Sequence, residues 1–246
     1  MDTISRREAI QVAAIAGASV LPLTAEAQAS PDRKLKVVVA GGHPDDPESG
    51  CGGLIALYAA AGHEVVNLYL TRGEAGIAGK TDDEAAAIRT AEAEAACKIL
   101  GARPVFAGQI DGAAEVSGKH YETIRRILDE EKPDLVLTHW PIDTHRDHRA
   151  ASLLVYDAWL ASGREFTLYY YEVESGHQSQ HFHATHYVDI TSVESKKREA
   201  CYSHKSQNPD DFYGLHTEMH RFRGMESGAK FAEAYIRLAQ NRSERL

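Results

Sequence analysis

Five short apolar runs, each too brief for a buried helix, recur along the chain between helix-like stretches: Leu35–Ala40, Glu64–Thr71, Pro104–Ala107, Asp134–Thr138 and Leu168–Val173. The first of them, LKVVVA, is Val-rich and nearly continuous in apolar character, as in a strand covered on both faces of a parallel sheet. The intervening segments Leu54–Ala61, Asp82–Leu100, Tyr121–Asp129 and Arg149–Leu160 read as helices. Asp82 and Asp83 open the second of these and Gly101 follows it, which are helix start and stop signals. Beyond the fifth run the pattern is less regular, with helices expected at Ser192–Cys201 and Ala229–Ala239. Strands alternating with helices predict a single α/β domain over residues 30–246, a mostly parallel, doubly wound sheet with helices on both faces.

That architecture says where to look for chemistry. In open α/β sheets ligands bind outside the C-terminal ends of the strands. Three polar clusters follow predicted strands: Gly42–Glu48, Arg72–Gly76 and His139–His148. The first reads His-Pro-Asp-Asp-Pro-Glu, a neutral imidazole and two carboxylates in a turn stiffened by Pro44 and Pro47. Taken alone it is equally an Asp-Pro turn whose acids cap the next helix. The third reads His139-Trp-Pro-Ile-Asp-Thr-His145-Arg-Asp147-His148 and leaves a different strand at the same sheet edge. Together they offer what a catalytic zinc needs, three protein ligands and one open position. His43, Asp46 and His148 are the expected ligands, with Asp45 left as general base and His145 to steady a developing oxyanion. Asp147 is placed to orient a ligating histidine. Arg72 is expected to face substrate from the loop after the second strand, against the simpler reading of a local pair with Glu74.

His43-Pro44-Asp45-Asp46 and His145-x-Asp147-His148 resemble the two signature motifs of the PIG-L/LmbE-like zinc deacetylases. Thr71-Arg72-Gly73-Glu74, Arg89-x-x-Glu92 with the helix to Leu100-Gly101, and His204-Lys205-Ser206-Gln207 are similar to further family segments, so the resemblance covers Lys34 to Gln207. It implies a Rossmann-like fold, one Zn2+ per chain, and removal of the N-acetyl group from an N-acetylglucosamine-type sugar or conjugate by a metal-activated water. It also implies the same five residues in the same roles. The family pattern puts Glu directly after the Asp pair, whereas here Pro47 intervenes before Glu48. Two other functions compete: an amidase acting on a different amide, of a thiol or sugar conjugate, and a carbohydrate-binding protein whose metal is structural.

Other histidines carry less. His177, His181, His183 and His186 read as a surface loop or cleft wall, with His181 and His183 sharing a face if that segment is a strand. His216 and His220 lie at i and i+4, but the intervening Glu is misplaced for a metalloprotease helix and Gly214 and Gly224 bracket the segment. Gly50-Cys51-Gly52-Gly53 lacks dinucleotide-binding spacing and reads as close packing of a helix on a strand. Three Cys exclude a disulfide scaffold, and Cys51, Cys97 and Cys201 are expected as small buried thiols.

Residues 1–29 read as a cleavable leader. Arg6-Arg7 precedes an apolar stretch from Ala9 to Leu23, and small-residue cleavage patterns follow at Ala25–Ala29. Fifteen helical residues rise about 22 Å, short of a bilayer core of about 30 Å. Ser5-Arg6-Arg7 resembles a twin-arginine signal, so an exported, periplasmic or extracellular protein with no membrane span in its mature part is expected. The net charge of −9 argues against nucleic acid as a partner; the family resemblance implies a small amino-sugar or glycan substrate, and a homo-oligomer stays open.

Overall fold

The computed structural model describes residues 33–240. Seven strands and six α-helices follow one another as β1 (Lys36–Gly41), α1 (Asp46–Ala60), β2 (Glu64–Thr71), α2 (Asp82–Leu100), β3 (Arg103–Gln109), α3 (Gly118–Glu131), β4 (Leu135–His139), α4 (Arg146–Ala161), β5 (Thr167–Tyr171), β6 (His186–Asp189), α5 (Glu194–Cys201), α6 (Pro209–Ser227) and β7 (Ala232–Arg237). A short 3-10 turn, Lys205–Gln207, links α5 to α6. The expected leader, residues 1–29, lies outside the described residues.

The strands form one sheet in the order β3-β2-β1-β4-β5-β7-β6. β1 to β5 are parallel, and β7 runs antiparallel to both β5 and β6. Alternation along β1 builds two cores. Val37 and Val39 face a layer with Ile55, Leu100, Leu137 and Tyr171, and Val38 and Ala40 face one with Leu68, Leu154, Val155 and Trp159. Burial of β1 on both sides is what its unbroken Val run requires. Chain order reverses between β1 and β4, so the loops after these two strands diverge to opposite faces and leave a crevice between them, the place where such sheets bind ligands. The doubly wound α/β architecture expected from the sequence is the one observed.

α1 begins eight residues before the expected Leu54, at Asp46. Its Gly-rich first turns allow close approach: a Cβ at Gly50 would sit 2.3 Å from the Tyr171 ring. Close helix-on-strand packing, the reading given to this segment, is therefore what the glycines serve. α2 opens on Thr81, whose hydroxyl accepts from Glu84 N while Glu84 reaches back, a capping box, and closes on Gly101 at φ 83°.

The C-terminal part differs from expectation. Ala229–Ala239 is not a helix; Ala232–Arg237 is β7, inserted between β5 and β6. Its Ala content favours helix locally, but Tyr235 and Ile236 pack on opposite faces of the sheet, the two-residue period of a strand. The 19-residue α6 was not expected, because its buried face is polar. Tyr213, His216, His220 and Arg223 point inward while Leu215, Phe222 and Met225 are exposed, which inverts the pattern that sequence periodicity detects. The segment carrying His181 and His183 is a loop between β5 and β6, not a strand. All three cysteines are buried and free, as expected. Among the described residues no helix is long and apolar enough to cross a membrane.

Candidate active site

The turn after β1 and the loop after β4 meet at the crevice. Asp46 joins them. Its Oδ2 accepts from His43 N at 2.7 Å and lies 3.2 Å from His43 Nδ1, and its Oδ1 lies 3.2 Å from His148 Nε2. The His43 and His148 ring centroids are 5.2 Å apart. The three expected ligands, two from the turn after β1 and one from α4, are thus buried side by side, with Asp46 touching each histidine through a different oxygen, but the trio is not itself among the donor sets given below.

Each imidazole is held from behind. His43 Nε2 contacts Asp147 Oδ2 at 3.2 Å and Asp111 Oδ1 at 3.1 Å. His148 Nδ1 contacts Asp143 Oδ1 at 3.2 Å. A carboxylate on the second ring nitrogen fixes orientation and raises the basicity of the first. Asp147, expected to orient a ligating histidine, contacts His43 in this way. His139, at the end of β4, stacks on His148 with centroids 3.9 Å apart and planes 6° apart, and its Nε2 lies 3.2 Å from Asp46 Oδ2. Gly42 N donates to that same nitrogen at 3.0 Å.

Asp45 caps α1 with φ 118°, a backbone state that costs a non-glycine residue about 1–3 kcal/mol and that concentrates at functional sites. The turn aims its half-buried carboxylate at Arg89 Nη2, 2.9 Å away, and the same guanidinium donates to Pro44 O. Burial raises the Asp45 pKa, with the charge of Arg89 opposing the rise. His145 caps α4, its Nδ1 accepting from Asp147 N at 3.3 Å. Its ring lies edge-on to His43 at 4.5 Å. Burial, then the neighbouring His43 and His148 charges, lower its pKa. The neutral ring then carries its hydrogen on Nε2 and remains a donor without being cationic.

A 480 Å³ cavity opens over these groups, lined by His43, Asp45, Asp46, His145 and His148. That volume falls in the range of small-molecule sites, about 300–1,000 Å³. Three donor sets hold their ligand atoms within 4.8 Å of one another: His43, His145 and His148; Asp46, His139 and His148; and His43, Asp111 and Asp147. The donors fit a divalent cation electrostatically as well as by type. Burial opposes charge on His43, yet Asp111, Asp147 and Asp46 outweigh it and raise its pKa well above 6.5. Burial likewise opposes charge on His148, and Asp46 and Asp143 raise its pKa to about 9. The carboxylates thus demand positive charge at the locus where the expected ligands meet. One further acceptor, Asp147 Oδ1, is buried with no hydrogen-bond partner among the described residues.

Arg72 does not reach this cavity. It is exposed, and its Nε donates to Thr90 Oγ1 at 2.9 Å. Glu74 accepts from the Arg72 backbone N, not from its side chain. The guanidinium in the cavity wall is that of Arg89, one helix further on. Its signal was present in the Arg89-x-x-Glu92 segment. Asp111 and Asp143 were also missed as site residues, although both lie in loops after strands, where the crevice rule looks. Glu174, Gln178, Gln207, Phe212 and His216 complete the wall from the C-terminal third, where Gln207 alone belongs to a segment the sequence singles out.

Glu48 turns away from the cavity. Its Oε1 accepts from Asn67 Nδ2 and from the Tyr69 hydroxyl, and its Oε2 lies 3.7 Å from His204 Nε2. It fastens the first turn of α1 to β2 and to the segment before the 3-10 turn. His216 lines the cavity, but neither it nor His220 belongs to a donor set among the described residues. The His177–His186 histidines belong to none either, and His177 is exposed beside Glu174.

The family model described as PIG-L, GlcNAc-PI de-N-acetylase, matches residues 37–159. A diacetylchitobiose deacetylase of Thermococcus kodakarensis is 31% identical over 217 residues, covering 80% of this chain and 81% of its own. The structure of the N,N'-diacetylchitobiose deacetylase of Pyrococcus horikoshii, complexed with an inhibitor, superposes with a TM-score of 0.75 at 23% identity, covering 96% of this chain and 94% of that one. A 4-carboxy-2-hydroxymuconate hydratase of Pseudomonas putida superposes equally, at 0.75 and 23% identity, covering 87% of this chain and 100% of its own. The architecture is therefore shared by proteins named for different reactions, and fold alone does not choose among them.

Proposed function

The chain belongs to the PIG-L family, and we propose that it is a zinc-dependent hydrolase that removes the N-acetyl group from an N-acetylglucosamine-type sugar or conjugate. The observation that carries this reading is the convergence of His43, Asp46 and His148 beneath a cavity that Asp45 and His145 also line. These three would hold the zinc. When bound, zinc supplies Lewis-acid polarisation of the amide carbonyl and eases ionisation of the attacking water.

The remaining chemistry falls to the chain. Asp45 takes a proton from the water as its oxygen bonds to the carbonyl carbon. A carboxyl pKa raised by burial suits that task better than an ordinary one, and Arg89 fixes the carboxylate's direction. His145 donates from Nε2 to the oxygen that becomes negative, which needs a hydrogen there but no net charge. Asp45 then returns its proton to the nitrogen as the C–N bond breaks, leaving acetate and a free amine. Asp111 and Asp147 keep His43 from turning away.

Acetate release from N-acetylglucosamine and its oligomers tests the reading. Turnover abolished by a chelator and restored by zinc is expected. Cleavage of thiol or other conjugate amides in place of these sugars would favour the amidase reading, and tight sugar binding without hydrolysis would favour the binding protein. The apolar stretch and cleavage pattern of residues 1–29 support export, which the N-terminal sequence of the protein recovered from its cells tests.

A further inference from the structure

All members of the three donor sets come from the N-terminal two-thirds of the fold. The facing part of the wall is different in kind: Glu174 and Gln178 from the loop after β5, Gln207 from the 3-10 turn, and Phe212 and His216 from α6. Phe212 is half-buried and meets the His216 ring edge-on, with centroids 5.6 Å apart. Glu174 Oε1 lies 3.5 Å from His216 Nε2. His216 is only 2% exposed, and its Nδ1 has no hydrogen-bond partner among the described residues. Burial pushes its pKa down to about 3, so it lines the cavity as a neutral ring.

The charge of the wall is lopsided. Asp45, Asp46, Asp111 and Glu174 all line it, and among the described lining residues Arg89 is the one Lys or Arg, already engaged by Asp45. Lys197, the cation whose charge His216 feels, is buried and held 2.7 Å from Glu233. A divalent cation at the site would leave the wall's balance negative still. Such a wall has no spare cation with which to receive a phosphate or carboxylate on the substrate.

On the reading of the reaction given above, we propose that Glu174, Phe212 and His216 form a sugar subsite for an uncharged pyranose, and that the cavity selects neutral acylamino sugars against anionic ones. The apolar face of the ring packs on Phe212, and a sugar hydroxyl donates to the Glu174 carboxylate, which His216 Nε2 helps to position.

Two readouts separate this from the reaction itself: steady-state kinetics of the zinc-loaded enzyme, and NMR titration of the chelator-treated protein with N-acetylglucosamine and with its 6-phosphate. Glu174→Gln and Phe212→Ala are each expected to raise KM and Kd for the neutral sugar about tenfold, with kcat moving much less. Phe212→Tyr should restore binding. The 6-phosphate should bind at least about tenfold more weakly than the neutral sugar, and Glu174→Gln should narrow that gap. If the wild type releases no acetate but binds sugar with these losses in the variants, the reaction reading fails and the subsite stands. If folded variants bind as the wild type does, or the phosphate binds as tightly as the neutral sugar, the subsite is overturned.

Discussion

His220 gives a stability prediction whose size needs only one pKa. It lies on the inner face of α6, 1% exposed, and both ring nitrogens lack partners among the described residues. Burial, then the charge of Lys197, pushes its pKa well below 6.5. In the unfolded chain it titrates at about 6.5. At pH 7 both states are largely neutral and the residue adds almost no pH dependence. As pH falls through 6.5 the unfolded chain takes a proton that the folded protein refuses, so stability is lost on acidification. At pH 5, about 1.5 units below the unfolded value, the loss is about 2 kcal/mol, whatever the folded value is so long as it stays below 5. His220→Leu keeps approximate volume, removes the titration, and removes two unpartnered buried nitrogens. Urea unfolding at pH 7 and pH 5 measures it. The variant should match or exceed the wild type at pH 7, and its advantage should grow by about 2 kcal/mol at pH 5. Equal loss of stability by both proteins between the two pH values would refute the claim that this ring is buried and neutral.

Three other outcomes are expected. Asp45→Asn should retain zinc and the fold while kcat falls at least about a hundredfold, the usual worth of a general base; metal analysis beside acetate release checks both parts. His145→Ala should lower kcat by about 10²–10³ with little change in KM, as for removal of one oxyanion donor. Gly50→Ala drives a methyl to 2.3 Å from the Tyr171 ring, whose hydroxyl also donates to Ala40 O and touches His139. It should destabilise by about 1–3 kcal/mol in thermal unfolding and weaken zinc retention, because the displaced ring supports the histidine stacked on His148.

The parts of this molecule that are legible in its sequence are those where apolar pattern and local chemistry agree. The Val run of β1 needs two covered faces, so a parallel sheet follows, and the sheet fixes where His43 and His148 emerge. Asp46 turns to His43 and His148 and Asp45 to Arg89 through a backbone turn, φ 118° at Asp45, that no spacing rule encodes. Arg72 was expected in the cavity because its loop points that way, but its side chain runs back along α2 to Thr90, and Arg89 enters from that helix instead. α6 and β7 escape for opposite reasons. The buried polar face of α6, anchored by the bidentate pair of Arg223 with Glu172, defeats hydrophobic periodicity. The Ala-rich β7 is made a strand by its two neighbours rather than by its own propensity. The cavity wall built by α6 and the loop after β5 depends on both, which is why the substrate side of the site is the less readable half.

The central claim is that His43, Asp46 and His148 grip a single divalent ion. Metal content per chain, measured by elemental analysis after purification in zinc and removal of loose metal, tests it in the wild type and in His43→Ala, His148→Ala and Asp45→Asn. The account predicts near-stoichiometric zinc in the wild type and in Asp45→Asn, and a fall to background in both histidine variants. Folded histidine variants that keep a full complement of zinc would contradict it.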